Sequence, residues 1–557
     1  MAQAVCVVVR YRKAVTYGVH ALLAALETAG VEHELRLGTT PEETAEHILA
    51  TGAGRVLVLW SFYSPDAEAM AAELATVRSL SGGRGLHIAG GVHATAEPQQ
   101  VIDAGWDLAG IGEGESTIIS LVRALQRDEP LTSVPGLAIR DADGVALRTG
   151  PAPQLPLDAF PSFTGRNGPI EITRGCRYTC RFCQTPFMFG GQFRHRSVAS
   201  VREHVRAMAG RGLRDVRFIT PTSLSYGSPG PDPDLGAVEE LLAGVKEELP
   251  PNGRIFFGSF PSEVRPEHVT PEAMRLLKRY VANDNLIIGA QSGSDRVLAA
   301  SGRGHDTSPV RDAVRIAAEH GFRPNVDFIF GMPGETEEDQ AASLKLAADL
   351  ADLGARIHTH TFMPLPGTPW RDAEPAFIPL ATMTELDRLA QRGDAYGHWR
   401  KQAEHAVRLA AAAKAYPRRT PAGAPPAEGP GGSGSVRRLG GQFPGGGDQR
   451  LHVEGVVVVV EAVDEAGERI DAEQVLQHHQ GGHDAQAVRG AGVLDLPDRV
   501  AQTGADRYAG ADAVALAADD DPHVRPPSRG SAAFQLGRRD APPRLRNPLT
   551  PTRGEEN

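Results

Sequence analysis

The sequence predicts an α/β protein of two consecutive parallel-sheet units followed by a long tail without a core. Three observations predict it. Strand and helix patterns alternate through residues 1–126 and resume over 171–375, and repeated βα units mean parallel sheets. Beyond residue 416 only three aromatics remain (Phe443, Tyr508 and Phe534), with one Ile and no Trp, Met or Lys. Of the four cysteines, Cys176, Cys180 and Cys183 fall within eight residues while Cys6 stands far away, which excludes a disulfide framework and a four-cysteine zinc site.

In the first unit Val5–Val9 is a β-branched strand and Val19–Ala29 has helical spacing of Leu and Ala. Arg55–Trp60 is a second strand and Ala67–Leu80 a helix. His87–Ala89 is a third strand, ending in Gly90-Gly91; Val101–Ala104 is a helical turn, Leu108–Gly110 a short strand and Ser116–Leu125 a helix. This is a Rossmann-like pattern, and its ligands belong beyond the carboxyl ends of the strands. Residues 127–170 read as a connector: Gly136–Arg140 and Val145–Thr149 flank Asp143-Gly144, a two-residue hairpin signal, and a Pro-rich stretch follows. Within 171–415 the strand candidates are Ile170–Thr173, Val216–Ile219, Arg254–Gly258, Leu286–Gly289, Asn325–Phe330 and Ile357–Phe362. Six βα units fit a partial (β/α)6 barrel whose active face lies at the carboxyl ends of its strands.

Residues 416–557 open on a Pro-, Gly- and Ser-rich linker and hold too few large apolar side chains to offset the entropy of ordering, so they are expected to be largely disordered or not genuine coding sequence. Only Val456–Val460 and a helix-like stretch at Ala472–Leu476 hint at order there, and His478, His479 and His483 resemble a metal-binding tract. The net charge of −11 disfavours a chain built to grip nucleic acid. The longest apolar runs, Ala4–Val9 and Val456–Val460, fall far short of the roughly 18 residues that span a bilayer. No secretory signal precedes the first strand, so the chain is expected to be cytoplasmic and away from membranes.

The chemistry is carried by Ile172-Thr173-Arg174-Gly175-Cys176-Arg177-Tyr178-Thr179-Cys180-Arg181-Phe182-Cys183, a C-x3-C-x2-C loop directly after the first barrel strand. Three thiolates can hold three irons of a [4Fe–4S] cluster, whereas a purely electron-transferring cluster wants four. One iron would stay open. This loop resembles that of the radical S-adenosylmethionine (SAM) enzymes. The resemblance implies that Cys176, Cys180 and Cys183 ligate the cluster and that the open iron chelates SAM. SAM is then cleaved to a 5′-deoxyadenosyl radical that abstracts a substrate hydrogen. Phe182 holds the aromatic position typical before the last cysteine.

Later segments resemble the same family's SAM contacts. Thr220, in Phe218-Ile219-Thr220-Pro221, matches the strand that meets the SAM amino group through backbone, although the Gly-Gly-Glu form is absent. Ser259 and Arg265 match fourth-strand polar residues near the SAM carboxylate, with a surface arginine as the alternative for Arg265. Gln291 and Ser292 would face the SAM ribose or the substrate, with a loop anchor as the alternative. His358 and His360 alternate along the last strand and share one face, which makes them candidate substrate contacts or core histidines.

A Rossmann-like domain before such a barrel resembles the cobalamin (B12)-dependent branch of the family. Gly90-Gly91-Val92-His93 and Gly112-Glu113-Gly114-Glu115 match it, and a paired Gly lets backbone approach a ligand, so Gly90 and Gly91 are expected to border the cobalamin tail. One departure stands out: the Asp-x-His-x-x-Gly loop that ligates cobalt is replaced by Arg10-Tyr11-Arg12-Lys13-Ala14-Val15-Thr16-Tyr17-Gly18. Cobalamin would bind without a protein histidine; the alternative is a packing module without a corrin. Cys6, the one remaining thiol, reads as a small buried hydrophobe and cannot build a second cluster, which disfavours methylthiotransferase-like chemistry. The reaction expected from the resemblance is cobalamin-dependent methyl transfer to an unactivated centre. The alternatives are rearrangement, cyclisation or oxidation without cobalamin, and a non-catalytic iron–sulfur carrier or cobalamin-binding protein. A small-molecule or peptide substrate and a flavodoxin or ferredoxin reductant are the expected partners.

Overall fold

A computed structural model describes residues 3–160 and 168–417. The predicted disorder of the tail, its Val456–Val460 and Ala472–Leu476 segments and its histidines His478, His479 and His483 lie outside the described residues.

The first unit runs β1 (Val5–Arg10), α1 (Thr16–Thr28), β2 (Glu34–Gly38), α2 (Pro41–Ala50), β3 (Arg55–Ser61), α3 (Ala67–Leu80), β4 (Leu86–Gly90), α4 (Val92–Ala96), α5 (Pro98–Asp103), β5 (Leu108–Gly110), α6 (Gly114–Arg127), β6 (Leu137–Arg140) and β7 (Ala146–Arg148). The sheet order is β2-β1-β3-β4-β5-β6-β7, parallel from β2 to β5 and antiparallel at its last two strands. Val5, Val7 and Val9 of β1 pack into a core with α1 and α6, while Cys6 and Val8 enter the core on the opposite face, so every residue of the strand is buried. Burial on both faces is why β1 reads as a continuous apolar run.

Two elements lay beyond the sequence reading. β2 is an edge strand of half-buried residues, and its Leu35 and Leu37 alternate with charges. α2 announces itself through a Thr40 cap that accepts from Glu43 N–H, Pro41 in the first turn and acidic Glu42 and Glu43 at its positive end. The Asp143-Gly144 hairpin forms, but its strands continue the edge of the first sheet, with Ala109 opposite Ala138.

The second unit runs β8 (Ile170–Glu171), β9 (Thr173–Arg174), α7 (Thr185–Phe189), β10 (Arg194–His195), α8 (Val198–Gly210), β11 (Asp215–Ile219), α9 (Leu235–Glu248), β12 (Arg254–Phe256), α10 (Pro271–Tyr280), β13 (Asn285–Gln291), α11 (Asp295–Ser301), α12 (Ser308–Glu319), β14 (Arg323–Phe330), α13 (Glu337–Asp352), β15 (Arg356–Thr361), α14 (Leu380–Gln391), β16 (Ala395–Tyr396) and α15 (Trp399–Ala415). Seven of its strands follow one another around a partial barrel as β8-β11-β12 and then β13-β14-β15-β16, all parallel, while β9 and β10 form a separate antiparallel pair. The two arcs join where Val264 N–H donates to Ile287 O (2.8 Å) and Ile287 N–H to Gly258 O (2.9 Å). All six expected strands are present, and β16 adds a short seventh. The fold is thus a mixed α/β pair of parallel-sheet units. Among the described residues no helix is long and apolar enough to cross a membrane.

Arg371, in the segment after β15, ties three parts together. It is buried, its Nε donates to Glu97 of the first unit (2.5 Å), and Nη2 donates to Tyr416 O beyond α15 (2.6 Å). Replacing it by Met leaves Glu97 buried without its cation, so Arg371→Met is expected to cost about 3–5 kcal/mol. Urea unfolding of the two proteins side by side checks this.

Candidate functional site

The cysteine loop leaves β9 at the carboxyl end of the barrel and is held by contacts that only glycine permits. Gly175 sits at φ +78°, and a Cβ there would fall 2.3 Å from Gln192 O. Cys176 N–H then donates to Gly190 O (3.1 Å). On the far side Arg181 N–H donates to Ser301 O (2.8 Å), and Gly302 at φ +69° leaves room for Thr179 O. Cys176 and Cys180 are buried and Cys183 is partly so. Burial, together with the charge of neighbouring cysteines, pushes the Cys176 thiol up to about 12 and Cys183 up to about 11. Thiols that oppose one another's ionisation suit a site whose positive charge comes from bound iron. The donor set therefore fits a cluster held by Cys176, Cys180 and Cys183.

Arg303 lines the loop from the β13 side. Its Nη1 lies 3.8 Å from Cys180 Sγ, Nη2 donates to Gly289 O (2.8 Å), and Glu263 stands 3.5 Å away. Gly289 is the fixed point here, because a Cβ would lie 2.5 Å from that guanidinium and 3.1 Å from Glu263. Neither Arg303 nor Glu263 is singled out by the sequence, although Glu263 stands between the expected Ser259 and Arg265. A charged pair after strand ends was the available signal.

The sequence-predicted SAM residues are distributed as follows. Arg265 is 1 % exposed, so the surface alternative falls. Its guanidinium stacks 3.6 Å over the Tyr178 ring of the cysteine loop, donates to Arg303 O (2.8 Å) and pairs with Glu267. Gln291 is buried at the bulged end of β13 with φ +75°, a strained setting for a side chain, and its amide nitrogen approaches Gly289. Ser259 is buried, and its hydroxyl has no hydrogen-bond partner among the described residues. Thr220 bridges β11 to Ser262, its hydroxyl donating to Thr222 O (3.1 Å). Ser292 turns to α13, its Oγ meeting Ser343 Oγ at 3.2 Å. Phe182 packs with Val297, Met332 and Phe362. Arg265 and Arg303 thus converge on the cysteine loop, while Ser292 engages the helix layer.

A second cluster joins the loop to the first unit. Arg174, two residues before Cys176, reaches Glu113 (2.8 Å), Glu115 (2.7 Å) and Glu171 (2.8 Å). Tyr17 OH donates to Glu171 (2.5 Å), and Arg194 pairs with Glu113. Burial alone would disfavour the charge on Arg174; Glu171 and Glu115 outweigh it and hold that charge firmly.

At the carboxyl edge of the first sheet Gly91 adopts φ +91°, and a Cβ on it would press to 3.2 Å from Ser61 Oγ. A Cβ on Gly112 would meet nothing within 4 Å, and one on Gly90 would meet Trp60 O at 3.9 Å. After β1 no imidazole stands in the expected ligand position: Arg10 pairs with Glu73 and Arg12 with Asp66. His93 is buried against Phe62 with Nδ1 3.1 Å from Ser64 Oγ, and burial pulls it down to about 4. The edge offers bare backbone, which fits a corrin bound without a protein imidazole.

The model of the radical SAM superfamily matches residues 170–347, the segment that carries these three cysteines. This segment is a radical SAM domain. The chain is similar to the tRNA-2-methylthio-N(6)-dimethylallyladenosine synthases of Pelobacter propionicus (31 % identical over 223 residues, 38 % of this chain and 47 % of that protein) and Chlorobium phaeobacteroides (29 % over 244 residues, 42 % and 52 %). It spans about half the length of these curated relatives. Among solved structures it resembles TsrM, a radical SAM methyltransferase of Kitasatospora setae seen with cobalamin and a [4Fe–4S] cluster, at a TM-score of 0.54 and 19 % identity over 66 % of this chain and 74 % of that one. It also resembles the cobalamin-dependent radical SAM enzyme OxsB, at a TM-score of 0.52 and 16 % identity over 62 % and 52 %. At these identities the likeness is one of fold.

The loop geometry makes two expectations. Cys180→Ala removes an iron ligand. Gly175→Val keeps all three cysteines but drives a side chain into Gln192 O. After anaerobic reconstitution both variants should lose most of the iron and visible absorbance of the native protein. Native iron content in Gly175→Val would contradict the role given to that contact.

Proposed function

We propose that the chain is a cobalamin-dependent radical SAM methyltransferase acting on an unactivated centre of a small molecule or peptide. One observation carries the reading: the three-cysteine loop is locked by buried ion pairs to the glycine-rich carboxyl edge of a Rossmann-like unit. A reduced [4Fe–4S] cluster with SAM supplies a 5′-deoxyadenosyl radical when bound, and cobalamin supplies a methyl carrier. The chain's own residues do the rest. Cys176, Cys180 and Cys183 hold the iron and leave one site open. Arg303 and Arg265 place positive charge beside the loop, which suits the carboxylate of SAM. Gly90 and Gly91 leave the sheet edge bare for the corrin side.

The curated relatives are named for methylthio transfer to tRNA. Against carrying that over, the single cysteine outside the loop, Cys6, is buried in β1, so this chain has no thiols for a second cluster. The missing cobalt-ligating loop favours a second reading, rearrangement or oxidation without cobalamin. A flavodoxin or ferredoxin as reductant and a cytoplasmic setting accompany both.

Anaerobic incubation of the full chain with SAM, dithionite and hydroxocobalamin tests the proposal. The expected products are 5′-deoxyadenosine, lost in Cys180→Ala, and S-adenosylhomocysteine formed only with cobalamin. Deoxyadenosine with no retained corrin would favour the second reading. Neither product under any reductant would overturn both.

A further inference from the structure

Arg303 follows α11 and is 5 % exposed, and what surrounds it fixes where its charge points. Its backbone N–H donates to Leu298 O (3.1 Å), and its carbonyl accepts from Arg265 Nη2 (2.8 Å). Just before it, Ser301 O accepts from Arg181 N–H of the cysteine loop (2.8 Å). The backbone that carries Arg303 is thereby tied to the loop on which Cys180 stands.

The guanidinium is then oriented by the acceptors around it. His305 Nδ1 lies 2.9 Å from Asp306 O, and a carbonyl only accepts, so the proton of the neutral ring sits on Nδ1. His305 Nε2 therefore offers a lone pair, and Arg303 Nε–H donates to it (3.0 Å). Nη2 donates to Gly289 O (2.8 Å) and faces Glu263 Oε1 (3.5 Å). That approach needs the glycine, because a Cβ at Gly289 would lie 2.5 Å from Nη2. A guanidinium is planar, so fixing Nε and Nη2 fixes Nη1 as well. Nη1 is left 3.8 Å from Cys180 Sγ, a reach that suits the large sulfur atom.

The surroundings agree. Burial opposes the charge on Arg303, and Glu263 and Cys180 outweigh it. Burial pulls His305 down to about 4, so its Nε2 keeps the lone pair at neutral pH. Arg265 differs. Its Nη1 is buried with no hydrogen-bond partner among the described residues, which leaves a donor for the carboxylate of SAM. Arg303 instead directs a donor at a cluster ligand. A buried cation and an N–H aimed at a ligating sulfur both stabilise a cluster that has taken up an electron.

We propose that Arg303 raises the reduction potential of the cluster through its buried charge and its N–H toward Cys180 Sγ, and that His305 is the positioning residue that holds the guanidinium in that orientation. This rests on the reading of Cys176, Cys180 and Cys183 as cluster ligands. The step concerned is the uptake of one electron from a donor of the flavodoxin or ferredoxin class, or from dithionite in vitro. The donor is oxidised, the cluster is reduced, and no bond is made or broken. Three thiolates already concentrate negative charge at the loop, so the added electron is unfavourable there without a compensating cation. Arg303 supplies that cation and brings the potential up toward the range of such donors.

Redox titration of the anaerobically reconstituted full chain, followed by the electron paramagnetic resonance of the reduced cluster without SAM, tests this. At the wild-type midpoint Arg303→Met should show a reduced-to-oxidised ratio about tenfold lower, a downward shift of about 59 mV for one electron. His305→Phe should shift in the same direction by less, because the charge stays while its anchor is lost. Iron is counted in every sample, so that a lost cluster is not mistaken for a low potential. If Arg303→Met fails to hold its iron, Arg303→Lys is read in its place; it keeps the charge without the planar fork and should also titrate below the wild type. An iron-replete variant at Arg303 that titrates with or above the wild type would overturn the role of Arg303, and a wild-type midpoint in His305→Phe would overturn that of His305. A wild type that binds no cluster would instead overturn the reading of the cysteines, and the proposal with it.

Discussion

The buried guanidinium of Arg174 is the constraint on which the rest of the architecture depends. It stands two residues before the first cluster cysteine and is enclosed by Glu113, Glu115 and Glu171, with Tyr17 completing the shell. Glu113 caps α6 of the first unit, Glu115 lies in the first turn of that helix, and Glu171 belongs to the first barrel strand. Such a cluster gains little over well-packed apolar residues, but once present it cannot be opened without stranding charge. Its contribution is therefore geometric. It sets the cysteine loop and the carboxyl edge of the first sheet at one spacing, where a radical source and a second cofactor would have to meet.

From that fixed point the site is built outward by close approaches. Gly175 and Gly302 let two backbone carbonyls crowd the cysteine loop, and Gly289 lets Arg303 cross the end of β13 to reach Cys180. Positive φ at Gln291 shows the same strand end bending where a ligand would be held. Among the apolar side chains of the barrel strands, Asp327 and the histidines of β15 are buried polar groups. An interior of this kind suits a chamber that must orient a polar molecule and still exclude bulk water around a reactive intermediate.

Much of this was legible in the sequence, and the limits have physical causes. The cysteine spacing, the six barrel strands and the Gly90-Gly91 turn are local patterns, and local patterns survive in one dimension. Edge strand β2 was missed because its apolar residues alternate with charges, and α2 was missed although Thr40, Pro41 and the following acids mark its start. Arg265 was left between the surface and the ligand because burial of an arginine depends on partners distant in the chain, here Tyr178 and Arg303. Asp327 and Gln402 were invisible for the same reason. Nothing near either residue in sequence says that one will face His358 and the other His360. The histidine alternation was readable, and the buried partners it meets, Asp327 and Gln402, were not.

The central claim is that this chain carries one cluster, held by three cysteines and open to SAM. It is tested most directly by counting iron in the anaerobically purified full chain and recording the electron paramagnetic resonance of the reduced protein with and without SAM. The account predicts about four irons per chain and a reduced-cluster signal that changes when SAM is added. About eight irons, or a signal indifferent to SAM, would contradict it.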